Sequence, residues 1–239
     1  MSYSTLILAD NPDLVWAFDD VTETSSVSTP ISFLPQTASY YNASIVASAT
    51  NVVDVPIVYG GGTAMSLTSS ADAVVSLPLI NNLSEVKAYQ NQAIEFWLRI
   101  DKVRPDEITI FKKRNFDKIG LFLKENYLIY RYGTSSSYLE VSYGLANLTE
   151  PTHVVLNYSK SSIQLIVNGI ANAAQNGGLR LSVDNSHSTN DFLDFYGQPD
   201  YDFVVDSVAY YSHNLSEAVA KRHYICLLYT SPSPRDATL

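Results

Sequence analysis

The sequence has little cysteine, little charge and no long apolar run, and each shortage closes off a class of protein. One Cys, Cys226, stands in 239 residues, so a disulfide framework is excluded. The 4 His have no H-x-x-x-H spacing, and no G-x-S-x-G elbow is present, so neither a zinc-protease helix nor a serine-hydrolase turn is encoded. Charged residues are 16% of the chain, the net charge is −9, and no basic run exceeds Lys112-Lys113-Arg114. Such a surface repels phosphate backbones and argues against nucleic acid as a partner. Divalent cations and neutral polymers suit it better. No apolar stretch has the length of a membrane span, so membrane insertion is not expected. The opening 1-MSYSTLILAD-10 lacks the basic flank and apolar length of a secretory signal. Synthesis in the cytoplasm without a signal peptide is the expectation.

What the chain has is strand-forming residues. Hydrophobic residues make up 46%, with 17 Tyr and 9 Phe, a composition that suits pleated, half-buried segments. Period-two alternation predicts strands at 94-IEFWLRI-100, 119-IGLFL-123, 127-YLIYRY-132, 138-YLEVSY-143, 153-HVVLNY-158, 163-IQLIV-167 and 203-FVVDSVAYY-211. Lys124-Glu125-Asn126 reads as a hairpin turn, as does Ser159-Lys160-Ser161-Ser162. Asn168-Gly169 is the dipeptide that tolerates positive φ in a tight hairpin. The segment 22-TETSSVSTP-30 reads as a polar surface loop, and Gly60-Gly61-Gly62 as a turn before strand 64-AMSL-67. One helix is predicted, from Leu215 to about Tyr224, capped by Asn214 with Glu217 or by Ser216. Its last turn would hold Lys221, Arg222 and His223. The expected fold is all-β: one two-sheet antiparallel β-sandwich of jelly-roll type over residues 1–225, with a short C-terminal helix. The segment 226-CLLYTSPSPRDATL-239 resembles a translated sequencing adapter. It is expected to be a non-native or disordered tail, which points to an environmental, metagenomic read.

Several runs resemble the concanavalin A-like lectin/glucanase superfamily, specifically laminin G-like domains of bacterial and phage type. They are 7-ILADNPDLVWAFDD-20, taken as an opening strand, then 58-VYGGGTAMSLTSSADAVVSLP-78 and Glu95-Phe96-Trp97-Leu98. The run 153-HVVLNYSKSSIQLIVNG-169 is the most specific, and 203-FVVDSVAYYSHNLSEAVAKRHY-224 closes the series. Ser207 and Val219 depart from the pattern, standing where the family usually has Glu. The resemblance implies a carbohydrate-binding or adhesion module of a phage tail or other virion or cell-surface appendage. Its partners would be a glycan or cell-surface polysaccharide and other virion proteins. A purely structural virion module and a polysaccharide-cleaving glycoside hydrolase are the alternatives.

The residues weigh against catalysis. Some sandwiches of this kind cleave glycans with paired acids on one strand, but here Glu95 is followed by Trp97 and Arg99. For ligand binding, the run 195-FYGQPDYD-202 stands out. Tyr196, Gln198, Asp200 and Tyr201 on one surface turn would combine ring faces with hydroxyl-binding groups. Tyr40-Tyr41, Tyr132 and Tyr138 are further rim aromatics. No cofactor is required by the sequence. Calcium is implied by the resemblance, with Asp19, Asp20, Asp206 and the Asp200–Asp202 pair as candidate oxygen ligands at the sandwich rim. Asp206 is read as inward, on a face with Val204, Val208 and Tyr210, and a buried carboxylate satisfied by loop N–H groups is the plainer reading. His153 is read as tying a strand to a loop, and His213 and His223 as surface residues. Trp16 and Trp97 are read as core.

Overall fold

The structure, a computed structural model, describes residues 3–16, 44–45, 50–53, 64–67, 74–78, 91–102, 105–114, 117–133, 135–159, 162–176, 192–197 and 201–230. Helix α1 (Tyr3–Ala9) comes first. It is followed by β1 (Leu14–Trp16), β2 (Ser44–Ile45), β3 (Thr50–Val53), β4 (Ala64–Leu67), β5 (Val74–Pro78) and β6 (Gln92–Lys102). Then come β7 (Ile108–Lys113), β8 (Ile119–Lys124), β9 (Tyr127–Gly133), β10 (Tyr138–Gly144), β11 (Thr152–Ser159) and β12 (Ser162–Val167). The series ends with β13 (Ile170–Ala171), β14 (Gln175–Asn176), β15 (Phe192–Tyr196), β16 (Asp202–Tyr211) and helix α2 (Glu217–Thr230).

Two antiparallel sheets result. The nine-stranded sheet runs β13-β12-β11-β6-β16-β4-β3, with β1 beside β16 and β14 beside β12. The seven-stranded sheet runs β10-β9-β8-β7-β15-β5-β2. The sandwich core is built from the alternating inward residues that the sequence pattern marks. Phe96, Leu98 and Ile100 of β6, Leu165 of β12 and Val208 of β16 meet Leu121, Leu123, Phe111 and Phe195 from the other sheet. Phe96 lies edge-on to Phe111 at 5.7 Å and to Phe195 at 5.9 Å. Each such side chain, taken out of water, contributes roughly 1.5–3 kcal/mol.

The nine-stranded sheet is buried on its outer face too. There Val15, Trp97, Val155, Ile166 and Tyr211 pack against Ile7 of α1 and Ala220 of α2, forming a second apolar cluster. Double burial explains why β6 and β16 read as near-continuous apolar runs. Two of the predicted turns form, while residues 22–30, Gly60-Gly61-Gly62 and Lys160-Ser161 lie outside the described residues. Glu125-Asn126 joins β8 to β9 with Glu125 at φ 56°, and Asn168-Gly169 adopts φ 52° and 72° between β12 and β13. Gly169 is needed twice over, because a Cβ there would come within 2.6 Å of the Lys221 Cα on α2.

The structure departs from the sequence reading at definite places. The chain opens on helix α1, not on a strand at residue 7. The helix buries Leu6 and Ile7 while Leu8 and Ala9 face out. It stops where Asn11 takes a left-handed φ of 54° ahead of Pro12. Strands β7 and β15 were not anticipated. Helix α2 starts later and runs further than predicted, so Lys221, Arg222 and His223 lie in its middle. Ser216 is its cap: the Ser216 Oγ accepts from the Val219 N–H at 3.3 Å. Glu217 instead accepts from the Ala171 N–H at 3.0 Å. The helix includes residues 226–230. Finally, Ser207 at φ 51° makes a bulge in β16, with the register shifting between Asp206 and Ala209. That extra residue switches faces. Val208 and Tyr210 join Phe203 and Val205 inside the sandwich, whereas Val204, Ala209 and Tyr211 belong to the helix-covered side. Asp206 therefore shares a face with Val204 but not with Val208 or Tyr210.

Candidate functional site

The first candidate is the outer face of the seven-stranded sheet; both described helices lie over the other sheet. Backbone register sets one transverse row across it. Ser76 pairs with Asp194, Asp194 with Lys112, Lys112 with Gly120, Gly120 with Arg131, and Arg131 with Glu140. The inward neighbours Leu77, Leu193, Phe195, Leu121 and Tyr130 belong to the sandwich core, so period two turns the row outward.

Two arginines organise the row. Arg114, just past β7, donates from Nε and Nη2 to the Asp194 carboxylate at 2.9 and 2.7 Å. Its Nη2 also reaches the Ser76 Oγ at 2.6 Å, and Ser76 donates to the Asp194 Oδ1 at 2.7 Å. Arg131 donates through both Nη atoms to Glu107 at 2.6 and 2.8 Å and through Nε to Glu140 at 2.6 Å. The Arg131 hydrogen bonds hold the Glu107 carboxyl below its usual range. Aromatic faces flank both groups. The Lys112 Nζ lies 5.3 Å over the Tyr196 ring, and Arg131 lies 4.8 Å over Phe122 and 5.8 Å over Tyr138. Ser76, Asp194 and Arg131 are buried, Lys112, Arg114 and Tyr196 are half-buried, and Tyr138 and Glu140 are exposed. Between Lys112 and Arg131, Gly120 contributes no side chain. A Cβ there would sit 2.3 Å from the Phe111 carbonyl oxygen.

The residues singled out from sequence fare differently. Tyr196 is on β15 and does face this surface. Burial and the neighbouring Asp194 push its phenol up to about 12. Tyr201 is a correction: it is 0 % exposed, packs its ring on Phe203 at 5.1 Å, and offers no face to a ligand. The cause is that Tyr201 directly precedes β16 and enters the sandwich core, whereas Tyr196 ends β15 on the outer face. Gln198 and Asp200 lie outside the described residues, as do Asp19, Asp20, Tyr40 and Tyr41. Of the calcium candidates, Asp202 and Asp206 are described, and Asp202 is a half-buried residue at the start of β16. Asp206 is 1 % exposed, opposes Trp97 in mid-strand and accepts from the Ser207 Oγ at 3.0 Å. Tyr132 stacks on Tyr158 at 3.7 Å against the core.

A second cluster was missed. Glu95, with 0 % exposure, lies on the helix-covered face beside His153. Its Oε1 is 2.6 Å from the His153 Nε2 and 2.7 Å from the His223 Nδ1, and its Oε2 accepts from the Tyr211 hydroxyl at 2.7 Å. The other His223 nitrogen, Nε2, is 2.7 Å from Asp10, which also takes Arg222 at 2.7 Å. Burial alone would raise the Glu95 carboxyl, yet its bonds to His153 and His223 hold it well below the carboxylate range. Burial would lower His223, and the two carboxylates raise it. His223 is thus 0 % exposed, not a surface residue. The available signal was the spacing of Ala220, His223 and Tyr224, which puts them on one side of a helix. His213 is exposed as expected. The His153 backbone N–H donates to the Asn168 Oδ1 at 2.9 Å, so it does tie a strand to a turn, and Trp97 covers its ring at 4.9 Å.

Solved structures of botulinum neurotoxin binding domains share this architecture. One, neurotoxin DC in complex with rat synaptotagmin II, is 12% identical with a TM-score of 0.69, and the match covers 92% of this chain and 52% of that one. A second, from neurotoxin type C, which depends on two ganglioside molecules to enter cells, is 12% identical with a TM-score of 0.71, over 93% and 53% of the two chains. A third, neurotoxin DC in complex with SialylT, is 13% identical with a TM-score of 0.70, over 92% and 52%. The chain therefore spans about half the length of these solved chains. No curated protein matches it in sequence. The family model for the concanavalin A-like lectin/glucanases superfamily matches residues 69–219, and the chain belongs to that superfamily.

Proposed function

We propose that this domain is a non-catalytic glycan-binding module and that the row Ser76–Asp194–Lys112–Gly120–Arg131–Glu140 is its binding face. The observation that carries this reading is the register itself. It lines up donors and acceptors across six strands, with a side-chain-free position at Gly120 and the rings of Tyr196 and Tyr138 beside them. Sugar hydroxyls match fixed carboxylate and guanidinium groups, and sugar C–H faces stack on tyrosine. Gln198 and Asp200 are kept as further ligand-binding residues of this reading. A calcium ion at Asp19, Asp20 or Asp206 is not needed for it.

Binding is favoured over hydrolysis because Asp194, Glu107 and Glu140 each accept hydrogen bonds from an arginine. Glycoside cleavage needs one carboxyl kept protonated. Among the neurotoxin structures of similar fold are complexes with rat synaptotagmin II and with SialylT, and type C depends on two ganglioside molecules to enter cells, which supports a cell-surface glycan as partner. We place the module in a phage tail or another virion or surface appendage, on its resemblance to laminin G-like domains of that origin. The test is titration of purified protein against glycans drawn from an array. Tyr196→Ala is expected to weaken the best ligand by about tenfold, roughly 1.4 kcal/mol, with the melting midpoint unchanged. No affinity for any glycan, or equal affinity in the variant, contradicts the assignment.

A further inference from the structure

The buried cluster beneath α2 has a composition that its hydrogen bonds alone do not require. Among the described residues, Glu95, His153 and His223 bring one carboxylate oxygen and two imidazole nitrogens within 4.8 Å of one another, all three residues being buried. We propose that these three side chains form a closed binding site for a divalent transition-metal ion of the zinc class.

The ligand set is the borderline nitrogen-and-oxygen mixture that such ions select. The surroundings match what orients metal ligands elsewhere. When the His223 Nδ1 is the ligand, its Nε2–H donates to the Asp10 carboxylate, 2.7 Å away. This carboxylate–imidazole arrangement fixes the tautomer a metal needs. The Tyr211 hydroxyl, at 2.7 Å from the Glu95 Oε2, holds the second carboxylate oxygen and leaves Oε1 as the single donor. Glu95 and Asp10 supply two negative charges against a divalent ion, with Arg222 on the outer side of Asp10. In the protein as it stands, Oε1 is 2.6 and 2.7 Å from the two ring nitrogens, a separation bridged by protons. Ligands about 2.0–2.2 Å from a tetrahedral ion lie roughly 3.3 Å apart, so loading widens these two gaps by about 0.7 Å. Three protein ligands leave a fourth position for water. Because the ligands come from β6, β11 and α2, bound metal would fasten the terminal helix onto the nine-stranded sheet. The site is on the opposite sheet from the glycan row, so the two assignments stand or fall separately.

The ligands are closed to solvent, so loading belongs to folding. Tag-free full-length chain is unfolded in guanidinium with EDTA, dialysed, and refolded with and without Zn2+, then assayed for metal content and melting midpoint. Co2+ replaces Zn2+ for a visible spectrum. The expected result is one ion per chain retained through dialysis, a raised melting midpoint and a tetrahedral Co2+ band. Glu95→Gln and His223→Ala are expected to abolish all three, and His213→Ala, at an exposed histidine, to change none. Asp10→Asn, away from the ligands themselves, is expected to weaken retention about ten- to a hundredfold. It decides the matter if the ligand variants fail to fold. Refolded wild-type chain without metal, or retention untouched by His223→Ala or by Asp10→Asn, overturns the site and leaves the cluster held by protons alone.

Discussion

Gly120 shows how one residue serves both the sheet and its surface. The neighbouring strand bulges between Thr109 and Phe111, which brings the Phe111 carbonyl to 2.3 Å from where a Cβ would stand. Gly120→Ala must push β7 aside, and overpacking of this kind costs roughly 1–3 kcal/mol. A urea melt of the variant is expected to show that loss, together with weaker glycan binding. Tyr196 makes a different prediction. Its phenol, raised to about 12 by burial and Asp194, stays protonated where a free tyrosine begins to ionise near pH 10. Glycan affinity is therefore expected to be flat from about pH 7 to about pH 10. A decline centred near pH 10 in a titration series would show that this phenol is not shielded or not in contact.

At the level of elements, what could be read from the sequence depended on how many faces a strand buries. The alternation in β8, β9 and β10 and the paired run of β11 and β12 with Asn168-Gly169 carried enough pattern to place them within a residue or two. The strand β7, 108-ITIFKK-113, ends in lysines, one of which stands on the outer polar row. The strand β15 places the charged Asp194 under Arg114. In both, the polar residues that make the surface useful also erased the strand signal. His223 was misplaced for a related reason. A histidine between Lys221-Arg222 and a tyrosine reads as solvated, and only the partners Glu95 and Asp10, more than a hundred residues away, reveal that it is buried. Asp206 was assigned to the wrong face because a single bulge residue, Ser207, inverts everything after it. Ser207→Val is expected to destabilise the domain by about 1–2 kcal/mol, since a β-branched side chain resists positive φ. Ser207→Gly is expected to be far milder, as chemical denaturation can compare directly. Ser216→Ala removes the cap from α2 and is expected to cost about 1 kcal/mol.

For the molecule as a whole, the two sheets are used differently. The nine-stranded sheet is roofed by both described helices and encloses the Glu95 cluster, while the seven-stranded sheet carries the polar row. The α2 residues in the second apolar cluster and the buried histidine all precede Cys226. A chain ending at Ile225 is therefore expected to keep its melting midpoint within about 3 °C, which for a domain of this size is under roughly 1.5 kcal/mol; a larger fall would make the 226–239 segment part of the domain. The direct measurement of the main functional assignment is an amide NMR titration of the full chain with its best array ligand. Shifts concentrated on Ser76, Lys112, Gly120, Arg131, Asp194 and Tyr196 are the predicted outcome. Shifts confined to the helix-covered sheet, with these six amides unmoved at saturation, would contradict it.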